Sequence, residues 1–228
     1  MRKILSTLLA LAMLLSCAAF AEEAAPVVFV SISDDTGMLV LAHAPVTVTD
    51  SDGDGALPIC DALTAAHTAY HPDGAAAFAA ANSEWGLSMA KLWGIENGGS
   101  YGYCVNDASA WSLVDPIKEG DHVKAYAYTD LTAWSDTYCY FAAPVAEAKM
   151  NAEVTLTLTA NGYDENYAPI TLPVAGAVIT VNGEKTEITT DENGNAVLSL
   201  AEAGTYTISA VSETMTLVPP VCILTIAE

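Results

Sequence analysis

The chain has 228 residues, room for one large or two small domains, and sets 28 acidic residues against seven basic ones, a formal net charge of −21. A surface of that sign repels nucleic acid and anionic membranes, and with Arg2 as the sole arginine the bidentate clamp for phosphate or carboxylate ligands is missing. Hydrophobic residues make up 52% and charged ones 15%, which excludes an acidic disordered chain.

Arg2 and Lys3 precede an apolar run over 4–15, and Ala19-Phe20-Ala21 supplies a small-residue cleavage site, so residues 1–21 read as a signal peptide. Leu14-Leu15-Ser16-Cys17 is a passable lipobox, which leaves a lipid anchor at Cys17 as the alternative to release. Removing Arg2 and Lys3 leaves five lysines and all 28 acids, taking the net charge from −21 to −23. Cys60, Cys104, Cys139 and Cys222 remain, an even number that permits two disulfides in an exported chain. Cys104 and Cys139, each in an aromatic strand-like run, are the first candidates for a pair. None has the spacing of a zinc site.

Residues 27–33 and 38–49 read as strands around the turn Asp34-Asp35-Thr36-Gly37, the second bent at Pro45. The second strand delivers the segment that carries the most chemistry, Asp50-Ser51-Asp52-Gly53-Asp54-Gly55-Ala56-Leu57-Pro58-Ile59-Cys60-Asp61. Acids stand at its first, third, fifth and twelfth places, with Gly sixth and an aliphatic eighth, the spacing of an EF-hand loop. Ca²⁺ takes roughly 6–8 oxygen ligands, and a loop of this length can wrap one ion. Asp50, Asp52 and Asp54 would give side-chain oxygens, Ala56 its carbonyl, and Asp61 would close the site. Gly55 would permit the turn and Leu57 would anchor it. A plain Asp/Gly-rich turn is the competing reading. With Asp rather than Glu in last place, the loop resembles the dockerin-type half of an EF-hand.

An Ala-rich helix is expected over 60–70, ending at His71-Pro72, then a second helix or a loop over 74–83. Strands are expected at 101–105, 122–128 and 138–142, a connector at 144–150, and short alternating strands at 154–158, 177–181, 196–200, 206–210 and 221–226. Asn182-Gly183, Glu192-Asn193-Gly194 and Ala203-Gly204 supply turns, Asp191 to Asn195 being a turn and not a metal loop. Strands at this density without a helix predict a small β-sandwich.

Tyr103-Cys104-Val105-Asn106-Asp107 and Glu119-Gly120-Asp121-His122-Val123 resemble motifs of the bacterial transcobalamin C-terminal-like domains (the domain of unknown function 4430 family). The resemblance covers about 27–143 and implies a β-grasp-like order. Corrin binding in that family uses a helical partner domain for which this chain has no room. The runs 174–181, 190–196 and 203–207 resemble transthyretin-like or carboxypeptidase-regulatory-like surface modules, used as spacers or adhesion elements. The expected fold class is therefore mainly β with one or two short helices: an α+β, β-grasp-like domain over 22–143, a linker at 144–151 and a β-sandwich over 152–228.

Candidate catalytic groups are sparse. His67 and His71 stand at i and i+4, but with no third ligand or base they read as an exposed ordinary pair. His43 and His122 read as isolated. Trp85, Trp93, Trp111 and Trp134 would go to the core before a stacking surface. The expectation is a secreted or cell-surface calcium-binding adhesion or interaction protein that is not an enzyme, with an extracellular protein or glycan as partner. A cobalamin-binding accessory protein is the alternative, and a degenerate hydrolase component a third class.

Overall fold

The computed structural model describes residues 25–50, 53–84, 86–166 and 168–228. The expected signal peptide and Cys17 lie outside the described residues, as do Asp52 and Trp85. The fold is mainly β with one α-helix and one short 3₁₀ turn among the described residues.

Strands β1 (Val27–Ser33) and β2 (Leu39–Thr47) form an antiparallel hairpin. The chain then crosses through α1 (Ile59–Tyr70). A 3₁₀ turn (Gly74–Ala77) and the small hairpin β3 (Ala79–Ser83) and β4 (Gly86–Lys91) follow, replacing the helix or loop expected at 74–83. Strands β5 (Tyr101–Val105), β6 (Ala108–Ser109) and β7 (His122–Ala127) complete a sheet of order β2-β1-β7-β5-β6, in which β7 runs parallel to β1. A hairpin, a helical crossover and a central parallel strand make this half β-grasp-like.

Helix α1 exists because Ile59, Ala62, Leu63 and Ala66 recur at helical spacing and present one fully buried stripe to the sheet. It stops where His71 turns extended at ψ 139°, the conformation that Pro72 imposes on its predecessor. Burying Leu63 completely contributes about 1.5–3 kcal/mol.

All six residues of β7 are buried, and the reason is a cover on both faces. Val123 and Ala125, with Val28, Val30 and Ile32 of β1, join the core under α1. The alternate residues His122, Lys124 and Tyr126 share the opposite face with Phe29, Ser31 and Ser33. There a second cluster of Cys104, Tyr126, Tyr138 and Val218 closes over them.

The second half is a β-sandwich. One sheet has β11 (Pro169–Pro173), β10 (Val154–Tyr163), β8 (Thr137–Phe141) and β16 (Leu217–Val218), with β14 (Asn195–Leu198) also on β10. The other has the order β13 (Glu184–Thr189), β12 (Val178–Val181), β15 (Gly204–Val211), β17 (Cys222–Ala227) and β9 (Val145–Lys149). Leu156, Leu158, Ile179, Ile208 and Leu224 fill the space between. Asn182 (φ 51°) and Gly183 (φ 85°) make the two-residue turn between β12 and β13, the left-handed pair such hairpins need. Asp191 takes the Asn193 and Asn195 N–H groups on Oδ1 at 2.9 and 2.8 Å, so 191–195 is a tight turn.

Two expected boundaries move. The segment expected as a linker at 144–151 contains β9, paired in parallel with β17, and Ala146 and Ala148 pack on the sandwich core. Strand β8, expected in the first domain, pairs with β10 and β16. The change of sheet falls between Ala127 and Thr137, not at 143.

Candidate functional site

The loop between β2 and α1 folds back on its first carboxylate. Asp50 Oδ1 accepts the Gly53 N–H at 2.6 Å and Oδ2 accepts the Gly55 N–H at 2.7 Å. Gly53 (φ 78°) and Gly55 (φ 87°) are left-handed, and a Cβ at either would meet no atom within 4 Å. Glycine is needed there for backbone conformation rather than for space. Asp54 Oδ1 takes the Ala56 N–H at 2.8 Å. The exit is fixed by Ile117, whose N–H donates to the Leu57 carbonyl at 2.9 Å, and by the bridge between Pro58 and Pro116. Asp61 stands in the first turn of α1, buried at 6% exposure.

The chemistry of these donors suits a hard cation. Each Asp50 oxygen accepts a loop N–H, and the two bonds orient the carboxylate before any ion arrives. Asp50, Asp54, Ala56 and Asp61 stand on one short loop and the helix turn it enters; Asp52, the remaining expected ligand, is outside the described residues. Among the described residues no three of His, Cys, Asp or Glu converge as a metal set.

His67 is fully buried rather than exposed. Its Nδ1 bonds to the Leu63 carbonyl at 2.6 Å, and Nε2 accepts the Trp93 N–H at 3.0 Å, so both ring nitrogens are engaged within the fold. Burial lowers its pKa to about 4, outweighing the Leu63 bond, with the nearby His71 charge acting in the same direction. His71 accepts the Asp73 N–H on Nδ1 at 3.0 Å. The pair is a packing device.

His43 and His122, far apart in sequence, meet with ring centroids 4.5 Å apart, and His43 also stacks on Phe29 at 4.2 Å. Ser31 Oγ lies 2.8 Å from His122 Nε2 and accepts the His43 N–H at 2.9 Å. Composition gives a hydrolase-like Ser–His pair, but Ser31 and His122 are 4% and 5% exposed. Burial, then the charges of Lys124 and His43, lowers the His122 pKa to about 2. Parallel pairing of β1 with β7 makes this contact, and no local pattern announces it.

The two motifs around Asn106 and Asp121 also meet. Asn106 Nδ2 donates to Asp121 Oδ1 at 2.8 Å, while Asn106 Oδ1 accepts the His122 N–H at 2.9 Å. Next to it Asp107 pairs with Lys124 and accepts the Tyr138 hydroxyl at 2.8 Å. Lys124 lies 5.6 and 5.8 Å from the Tyr138 and Tyr140 ring centroids.

None of the four described cysteines is in a disulfide, so the expected Cys104–Cys139 pair does not form. Alternation on β8 is the reason. Tyr138 turns toward Cys104, so Cys139 faces the sandwich core, where Sγ donates to the Val218 carbonyl at 3.3 Å. Burial pushes the Cys104 thiol up to about 11 and Cys139 up to about 12. The tryptophans depart from expectation too: Trp111 is 93% exposed and Trp134 65%, with Trp93 half-buried.

No family model matches the chain, and no curated protein matches its sequence. Solved structures share a distant likeness. The Ig1–2 module of the Drosophila receptor protein tyrosine phosphatase DLAR is 11% identical with a TM-score of 0.28, over 67% of this chain and 76% of that one. The N-terminal four Ig domains of Dscam1 are 7% identical with a TM-score of 0.27, over 92% and 45%. The teleost fish polymeric Ig receptor ectodomain is 11% identical with a TM-score of 0.22, over 62% and 60%. Likeness this distant says nothing of what the chain binds.

Proposed function

We propose that the chain is an exported, calcium-stabilised interaction protein that works without catalysis. The observation that carries the calcium reading is the Asp50 carboxylate, held by the Gly53 and Gly55 N–H groups at the start of a loop whose acids recur at ligand spacing. Binding is favoured over catalysis by the burial of Ser31 and His122 and by the raised pKa values of the Cys104 and Cys139 thiols, which keep them in the unreactive protonated form. The acidic sequence and the secretory start point to an extracellular setting, where Ca²⁺ is abundant and polyanionic partners are repelled.

Ca²⁺ binds the folded loop and not the unfolded chain, so it should add about 2.7 kcal/mol at a hundredfold excess over its Kd. Thermal melts in millimolar calcium should lie clearly above those in chelator, with a smaller rise in Mg²⁺, which demands a tighter octahedral shell. Asp50→Ala with Asp54→Ala should abolish the difference between the two ions. Superimposable wild-type melts in calcium and chelator would remove calcium from the proposal.

A further inference from the structure

A groove of about 520 Å³ separates the two halves of the fold on one side. One wall is the β5–β6 turn, Asn106 to Ser109; the other is the β10–β11 hairpin around Asn161, Tyr163 and Thr171, and Tyr140 of β8 lies between them. Its volume falls within the roughly 300–1,000 Å³ of small-molecule sites.

The walls are held in place before any ligand arrives. Asn106 (φ 50°) and Asp107 (φ 67°) form a two-residue left-handed turn between paired Val105 and Ala108. Asn161 Nδ2 reaches across from the hairpin and donates to the Asp107 carbonyl at 3.0 Å. The Asn106 amide is engaged by Asp121 and His122, and the Asp107 carboxylate by Lys124 and Tyr138. A site fixed in this way loses little entropy on binding.

Charge then narrows the ligand. The chain carries 28 acids, yet the residues lining this groove include a single one, Asp107, and Lys124 neutralises it. The lining offers no cation of its own for a carboxylate or phosphate. It offers hydroxyl and amide groups from Ser109, Asn161 and Thr171, and two tyrosine rings, of which Tyr163 is 72% exposed. Flat aromatic faces beside uncharged hydrogen-bonding groups match a molecule with an apolar C–H face and a rim of hydroxyls.

We infer that this groove binds a neutral saccharide, with Tyr163 stacking on a sugar ring and Asn161 and Ser109 hydrogen-bonding its hydroxyls. The inference rests on the reading of the chain as an interaction protein and names the chemical class of its partner, but it does not depend on the calcium loop.

The test is a titration of the full mature chain, followed by saturation-transfer NMR and calorimetry, with cellotriose, xylotriose, maltotriose and N-acetylchitotriose. At least one should bind with a Kd in the millimolar range or tighter. Tyr163→Ala, at an exposed position that leaves the fold intact, should weaken it at least tenfold, and Tyr163→Phe should retain most of the affinity. Asp50→Ala should bind the sugar as the wild type does, so loss of the calcium reading and loss of the saccharide reading are separate results. Absence of binding across the four sugars, or Tyr163→Ala binding as tightly as wild type, overturns the inference. So does binding of N-acetyl-trialanine-amide in the groove with no saccharide bound, which would assign it to peptides.

Discussion

Lowering the pH should strip stability from this protein through His67, and the structure gives the size. In the folded state Nδ1 faces the Leu63 carbonyl and Nε2 receives the Trp93 N–H, so the neutral ring protonated on Nδ1 satisfies both contacts. A second proton on Nε2 would point at the Trp93 N–H, donor against donor, inside a fully buried site. The folded pKa is accordingly about 4, below the ordinary value of 6.5. Because the unfolded chain takes up the proton first, the contribution is complete above pH 6.5 and is lost as pH falls from there toward 4. Between pH 7 and pH 4.5 the loss is about 2 kcal/mol, a large part of a typical total of about 5–15 kcal/mol. Protonation of the many carboxylates relieves self-repulsion over the same range, so the wild-type curve alone is not diagnostic. Urea unfolding of wild type and His67→Gln at pH 7, 5.5 and 4.5 isolates the histidine. The stability gap between the two proteins should shrink by about 2 kcal/mol across that range. A gap independent of pH would refute the reasoning.

Three further outcomes are expected. A Cβ at Gly102 would stand 2.1 Å from the Tyr126 ring, which is wedged beside Tyr138, so Gly102→Ala should cost about 1–3 kcal/mol in urea unfolding; a variant as stable as wild type would show that the ring can yield. Cys104, Cys139 and Cys222 should react slowly with Ellman's reagent in the native protein, and all four described thiols should titrate at once in denaturant without reductant; fewer than four would mean a disulfide forms. Limited proteolysis should spare 144–151, since β9 is hydrogen-bonded to β17; a first cut there would show that the pairing is weak.

Helix α1 and the long alternating strand β10 were legible because each buries one stripe at its own period, and the Asn182-Gly183 turn because few residue pairs accept two left-handed conformations. Strands β3 and β9 were not. Ala79, Ala80, Ala81, Ala146 and Ala148 carry so little β-preference that only their pairing partners reveal a strand. The meeting of His43 with His122, and of Asn106 with Asp121, depends on how β7 inserts between β1 and β5, a long-range choice with no local signature. The calcium loop was the most legible part of the candidate site, since ligand spacing within twelve residues is itself local, while the groove needed both halves of the fold.

The cover over the polar face of β7 sets a timetable for synthesis. Tyr138 and Val218 complete the cluster around Cys104 and Tyr126, and β16 pairs with β8 through Leu217 and Val218, far downstream of β7 in sequence. A nascent chain that has already threaded β1, α1 and β7 must therefore wait, with Tyr126 uncapped, until Val218 has emerged. Removing residues 217–228 takes away all of β16 and β17, so a defect introduced there is felt at β7, made long before it.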